Sequence, residues 1–205
     1  TGKEATDWRE YRARWLLSSD DPQANAEQIE TLLAGINESS TALRMRALAQ
    51  RLIGNDSRAL ALLKEAIFVS PDDADAILDM AMLQYALDDQ QAALDLVQTA
   101  IAKPELTDHQ LRSAATLMLS LRRTPQAVLL FERLIDTGRA TERDLLGLTR
   151  LYQDNQQTSR TIGLVERLLE SPNAEILTVA ADLYASAGNL EQAQMILGQL
   201  ETANI

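Results

Sequence analysis

The chain has 205 residues, 46% hydrophobic but only 4% aromatic, with a net charge of −11. That length and apolar content support a sizeable core, and the scarcity of aromatics beside abundant alanine and leucine favours helices over sheets. The acidity argues against a nucleic-acid binder or a surface for anionic lipid, and the absence of cysteine excludes disulfides and thiolate metal sites.

No apolar run approaches the roughly 20 residues that span a bilayer, so direct membrane insertion is not expected. The chain opens TGKEATDW without a methionine, which reads as a processed or excised piece. Only Lys3, Lys64 and Lys103 are lysines among 19 basic residues. The remaining arginines suit bidentate recognition of carboxylates.

In chain order, the first amphipathic segment carries an aromatic stripe of Trp8, Tyr11 and Trp15. The stripe is read as core, the alternative being contact with a preceding repeat. Ile29, Leu32, Leu33 and Ile36 line the segment after it. Asp21-Pro22 is expected to open that second helix, as a capper before proline at the first helical position.

From here the chain repeats at an interval of 34 residues. Ala13, Ala47, Ala81 and Ala115 form one ladder, and Ala59, Ala93 and Ala127 form another; Asn25 falls at the second small position of the first unit. Aligned on these ladders the units are 6–39, 40–73, 74–107, 108–141, 142–173 and 174–205. The fifth is two residues short, and Ala181 and Ala193 then restore both small positions. Leu43, Ala47, Leu48 and Leu52 share one face of a helix, as do Ala59, Leu60, Leu63, Ala66 and Ile67. Residues 74–107 repeat the pattern most clearly.

Break signals recur in phase. Pro71, Pro104 and Pro172 fall near the ends of second helices. Asp72-Asp73, Asp108 and Asn173 are expected N-caps of the following first helices, and Thr141 with Asp144 is expected to form a capping box. Gly54-Asn55, Asp88-Asp89 and Gly188-Asn189 separate paired helices. Thr124-Pro125 is expected to cap and begin another.

These residues resemble the tetratricopeptide repeat (TPR) family. That unit has a large residue at position 4, small residues at 8, 20 and 27, and Tyr at 11. Ile77, Ala81, Ala93 and Ala100 match in the third unit, and Leu177, Ala181, Tyr184 and Ala193 in the sixth. Tyr152 matches position 11 of the fifth. Thr149, Thr161, Leu134, Leu168 and Leu200 depart from the pattern. The resemblance implies an all-α solenoid of about six helix-turn-helix units in one array, 1–205, wound as a right-handed superhelix. The array ends are expected to meet neighbouring repeats or another copy.

Chemistry-bearing motifs are sparse. His109 is the single histidine, read as a solvated surface residue, and no phosphate loop, nucleophile elbow or zinc motif appears. No enzyme activity, cofactor or metal is expected.

In the TPR family, positions 2, 5, 9, 12 and 13 face the concave groove. Carried over, they select Arg44, Leu48, Arg51, Leu78, Met82, Tyr85, Arg112, Leu119, Arg143, Leu146 and Arg150 as partner-binding residues, with Thr41, Leu52, Asp75, His109, Thr116 and Ser120 beside them. Arginines flanking an apolar strip suit a protein or peptide segment with acidic and apolar residues. Alternatively the arginines satisfy acids on adjacent helices, such as Asp75 or Asp79. Arg44-Leu48 and Arg112-Thr116 do not match the family's clamp for chaperone tails.

The function implied is a non-catalytic protein-interaction scaffold. The alternative is a periplasmic spacer or assembly module of a bacterial envelope machine, such as an exopolysaccharide exporter, and on that account the periplasm is preferred to the cytoplasm. An acidic polysaccharide or RNA would use the same arginines, but the net charge disfavours both.

Overall fold

A computed structural model describes residues 2–169 and 174–203, with side chains for 7–157, 159–169 and 174–202. Twelve α-helices and no strand occur among the described residues. They are α1 (Gly2–Leu17), α2 (Ala26–Leu33), α3 (Ser40–Leu52), α4 (Asp56–Val69), α5 (Ala74–Ala86), α6 (Gln90–Ile101), α7 (Asp108–Ser120), α8 (Thr124–Asp136), α9 (Glu142–Asp154), α10 (Thr158–Leu168), α11 (Ala174–Ser186) and α12 (Leu190–Ala203). The chain divides into two compact units, 1–122 and 123–205.

In the first unit each helix from α1 to α7 packs on the next, and α1, α3, α5 and α7 also pack side by side. The first helices therefore form one layer, with α2, α4 and α6 forming the other. In the second unit α8 to α12 pack successively.

The small residues explain these contacts. Ala47 and Ala59, and Ala81 and Ala93, are fully buried where paired helices touch, and a larger side chain there would hold the backbones apart; Ala115 and Ala127 are fully buried too. The first hairpin solves the same problem one residue later. Asn25 precedes α2, its amide donating to Ser19 Oγ at 2.8 Å and the Asp21 carbonyl at 3.0 Å, and Ala26 takes the buried place. Thr149 and Thr161 are fully buried as well. Each hydroxyl donates to the carbonyl four residues back, Leu145 at 2.8 Å and Gln157 at 3.0 Å, so neither is left as an unsatisfied polar group. Leu134 and Leu168 fill space between helices in the second unit.

Most helix starts follow the capping chemistry of the sequence. Asp73, Asn55 and Asp89 accept from the backbone N–H groups of Ala76, Arg58 and Ala92. Thr141 and Asp144 form a reciprocal capping box, with the Thr141 N–H to Asp144 at 2.7 Å. Three starts differ. Asp108 is the first residue of α7 rather than its cap; Thr107 caps it in a box with Gln110, because a glutamine three residues on can return the bond. Thr124 lies inside α8, whose cap position is Arg123 without a side-chain bond. Asp21 closes a turn by accepting from the Ala24 N–H, and α2 starts only at Ala26. Pro172 and Asn173 lie outside the described residues.

Trp8, Tyr11 and Trp15 are not core. The buried face of α1 consists of Ala13 and Leu16, and all three aromatics point outward. Their spacing marks a helical face, but helical spacing alone does not say which face turns inward.

The turns after α3, α5, α7, α9 and α11 each close on a residue with positive φ. After α3, α5, α9 and α11 the next N–H reaches back five residues, as from Asn55 to the Gln50 carbonyl at 2.8 Å. Gly54 and Gly188 occupy this position at φ 77° and 79°, whereas Asp88, Arg122 and Gln156 adopt φ 57–64° with a side chain. A left-handed conformation costs an L-residue roughly 1–2 kcal/mol. Gln156→Gly is therefore expected to stabilise the protein by about 1 kcal/mol, read as a raised urea midpoint. Ala81→Leu is expected to cost about 1–3 kcal/mol in the same measurement.

Candidate functional site

The inner layer of the first unit forms a groove of about 500 Å³ lined by residues of α1, α3, α5 and α7, with Leu63 of α4 reaching it from behind. Its floor is apolar, from Leu17, Met45, Leu48 and Met82. A second concavity of about 360 Å³ continues along α5 and α7, lined by Met82, Tyr85, His109, Arg112, Thr116 and Ser120 among others. The Tyr85 hydroxyl donates to the Ser120 carbonyl at 3.4 Å, tying the two helices at this end.

Helix geometry fixes which positions reach the groove. Positions 2, 6, 9 and 13 of a unit are separated by four, three and four residues, so they share one face. Met45, Asp79 and Ser113 all occupy position 6 and all line the groove. They are absent from the sequence-derived set, although the spacing of Thr41, Leu48 and Leu52 would have included Met45.

At position 5 Arg44 and Arg112 border the concavities, but the leucines there turn towards neighbouring helices. Leu78 is accordingly buried rather than exposed on the groove floor, and Leu146 is buried with Leu168 and Ile176 in the second unit. Leu52 packs against the core formed by α1, α2 and α3. Leu119 is half-buried and lines neither concavity.

Arg44, also at position 5, is committed to structure. Its guanidinium sits 2.8 Å from Asp79, 3.2 Å from Asp75 and 3.9 Å from Asp73, bridging α3 to α5. Burial works to lower the guanidinium pKa but is outweighed by the three carboxylates, Asp79 foremost, which hold it above its ordinary value. Burial pushes the Asp79 carboxyl above its usual range, against the opposing pull of Arg44. Arg51 lies on the groove wall, half-buried, with no side-chain hydrogen bond or ion pair among the described residues; exposed Arg14 stands at the rim in the same condition. His109 is largely solvent-exposed, 4.0 Å from Asp75.

In the second unit Arg143 is exposed, and Arg150 is exposed and paired with Glu175 at 2.8 Å. Tyr152 donates to Glu132, Arg160 bonds the same carboxylate at 2.9 Å, and its guanidinium lies over the Tyr152 ring. Burial, then Glu132, raises the phenol pKa. No cluster of metal-ligating side chains occurs among the described residues.

Stacked antiparallel helix pairs with small residues at their crossings define a helical-repeat protein. The chain has the TPR fold, as solved structures similar to it show. PilF of Pseudomonas aeruginosa matches at 16% identity with TM-score 0.69, covering 98% of this chain and 92% of that one. PilW, a widely conserved type IV pilus biogenesis factor, matches at 15% identity and TM-score 0.68, covering 96% and 92%. YrrB, a TPR protein with an unusual peptide-binding site, matches at 15% identity and TM-score 0.64, covering 85% and 91%. No family model matches the sequence, and neither does any curated protein.

Removing Arg44 leaves three carboxylates close together without a counter-charge. The folded-state pKa of Asp79 is already above its unfolded value, so the folded state takes up its proton at higher pH, and acidification relieves the penalty of the ionised form. Arg44→Ala should therefore cost about 1–2 kcal/mol at pH 7 and less near pH 4, measured by urea unfolding at both. Equal losses would show that the carboxylates and Arg44 are not coupled.

Proposed function

We propose that the protein is a non-catalytic interaction scaffold whose first unit holds a partner segment bearing alternating acidic and apolar residues. The observation that carries this is the groove wall. Leu48 and Met82 expose apolar surface into a concavity whose adjoining guanidinium, Arg51, has no carboxylate paired with it among the described residues. An acidic group of a partner would supply that carboxylate, and burial of apolar side chains on the floor would supply most of the affinity. Arg112 and Tyr85 extend the same surface along α7 and α5. Arg44 acts as a strut that fixes the groove wall rather than as a contact. Arg143 and Arg150 are offered as a separate basic surface of the second unit.

The second reading is an assembly module in a bacterial envelope machine. The fold likeness to PilW, a pilus biogenesis factor, favours it. The two readings are compatible, since an assembly module also works by holding a partner.

The test uses a labelled pool of synthetic peptides in which Asp or Glu alternates with Leu or Phe, titrated by fluorescence anisotropy. Arg51→Glu and Met82→Glu should each weaken binding at least about tenfold. Arg58→Glu, on exposed α4 surface, should leave it unchanged. Equal binding by wild type, Arg51→Glu and Met82→Glu overturns the groove assignment.

A further inference from the structure

Trp8, Tyr11 and Trp15 of α1 are 62%, 72% and 53% exposed. Three large aromatics at spacings of three and four residues make one continuous stripe on the outer face of the helix. Arg12 lies within it, its guanidinium 4.4 Å from the Trp15 ring centre. The stripe is held in place from behind: Ala13 and Leu16 are buried against α2 and α3, and Arg9 donates to the Ala34 carbonyl at 2.9 Å and also to the Leu32 carbonyl. Leu32 and Gln28 of α2 widen the surface alongside the aromatics. A contiguous exposed patch of this kind marks an interaction site.

We propose that this face pairs with the same face of a second copy, α1 antiparallel to α1, in a two-fold symmetric dimer. The sequence of the stripe is self-complementary in that arrangement. With the axis between Tyr11 and Arg12, Trp8 of one copy stands opposite Trp15 of the other, and each Arg12 covers the Tyr11 ring of its mate. The charges suit the same antiparallel direction. Asp7 and Arg14 are exposed, seven residues apart on one flank of the stripe; in the antiparallel pair Asp7 of one copy and Arg14 of the other lie on the same side, about two residues from direct opposition and within the reach of an arginine side chain. A parallel two-fold pair would set this flank against the opposite flank and leave Asp7 and Arg14 apart. The area is also adequate for a weak dimer. Aromatic side chains bury about 150–250 Å² each when fully covered. Three that are half or more exposed, with Arg12, Gln28 and Leu32, approach the roughly 600–800 Å² per partner at the low end of specific interfaces.

A bilayer is the competing occupant, since tryptophan, tyrosine and arginine also suit a membrane surface. The acidic partner of Arg14 on the same flank and the net charge of −11 favour protein over anionic lipid.

Sedimentation equilibrium of the chain across a concentration series tests the proposal. A reversible dimer is expected, reduced to monomer by Tyr11→Glu and weakened about tenfold by Asp7→Arg alone. The double exchange Asp7→Arg with Arg14→Asp should restore the dimer, which a merely misfolded variant would not do. Circular dichroism checks that each variant keeps its helices. Overturning results would be a monomer throughout the series, a mass that grows without limit with concentration, a dimer indifferent to Tyr11→Glu, or no rescue by the double exchange. Binding to vesicles of neutral or anionic lipid by a monomeric chain would also overturn it. No substitution in the groove test lies on α1, so the two proposals fail independently.

Discussion

Close approach of paired helices is the constraint on which this molecule depends. Two α-helices can bury a shared apolar stripe only if the side chains at their crossing are small enough to let the backbones near each other. Alanine meets that condition at Ala47 and Ala59, at Ala81 and Ala93, and at Ala115. Where the position holds threonine, the i−4 carbonyl absorbs the hydroxyl. Where the register slips, as at Asn25, the neighbouring Ala26 enters instead. The requirement is for small volume without an orphan polar group, and three different solutions meet it.

That packing also determines what remains available for binding. Once the first helices of the leading unit lie side by side, positions 6 and 9 face the groove, while position 5 reaches towards the next hairpin from its edge. Arginine at position 5 then finds acids rather than solvent, so Arg44 becomes a bridge between α3 and α5. Leucine at the same position becomes core, as with Leu78 and Leu146. Arg51, at position 12, is left on the groove wall with its charge unspent. Whether an arginine is spent on structure depends on where the packed helices carry it, not on residue type.

The aromatic stripe of α1 shows the same point from the opposite side. Amphipathic spacing told of a coherent face, and the ordinary expectation puts such a face inside. Yet Ala13 and Leu16 lie inward, because α1 sets its small residue, Ala13, towards its neighbours as the helices after it do. The aromatics then have nowhere to go but outward, and a bulky face becomes a candidate interface.

Local chemistry was legible in the chain: the helical hairpins, the 34-residue phase, the breaks at Gly54-Asn55 and Asp88-Asp89, the cap at Asp73, and the box at Thr141. Each depends on residues within a few positions of one another, or on a period that repeats. The groove was legible only in part. Arg44, Leu48, Arg51 and Met82 line it and Tyr85 and Arg112 line its continuation, at positions the family pattern selects, whereas Met45, Asp79 and Ser113 did not emerge and Leu78 is buried. Which arginine meets an acid depends on distances between helices that no single segment specifies. The sequence alone determined the repeat and the elements, because period, size and capping act locally. Only the tertiary structure decided which faces turn inward, because burial is a property of a surface and its neighbour together.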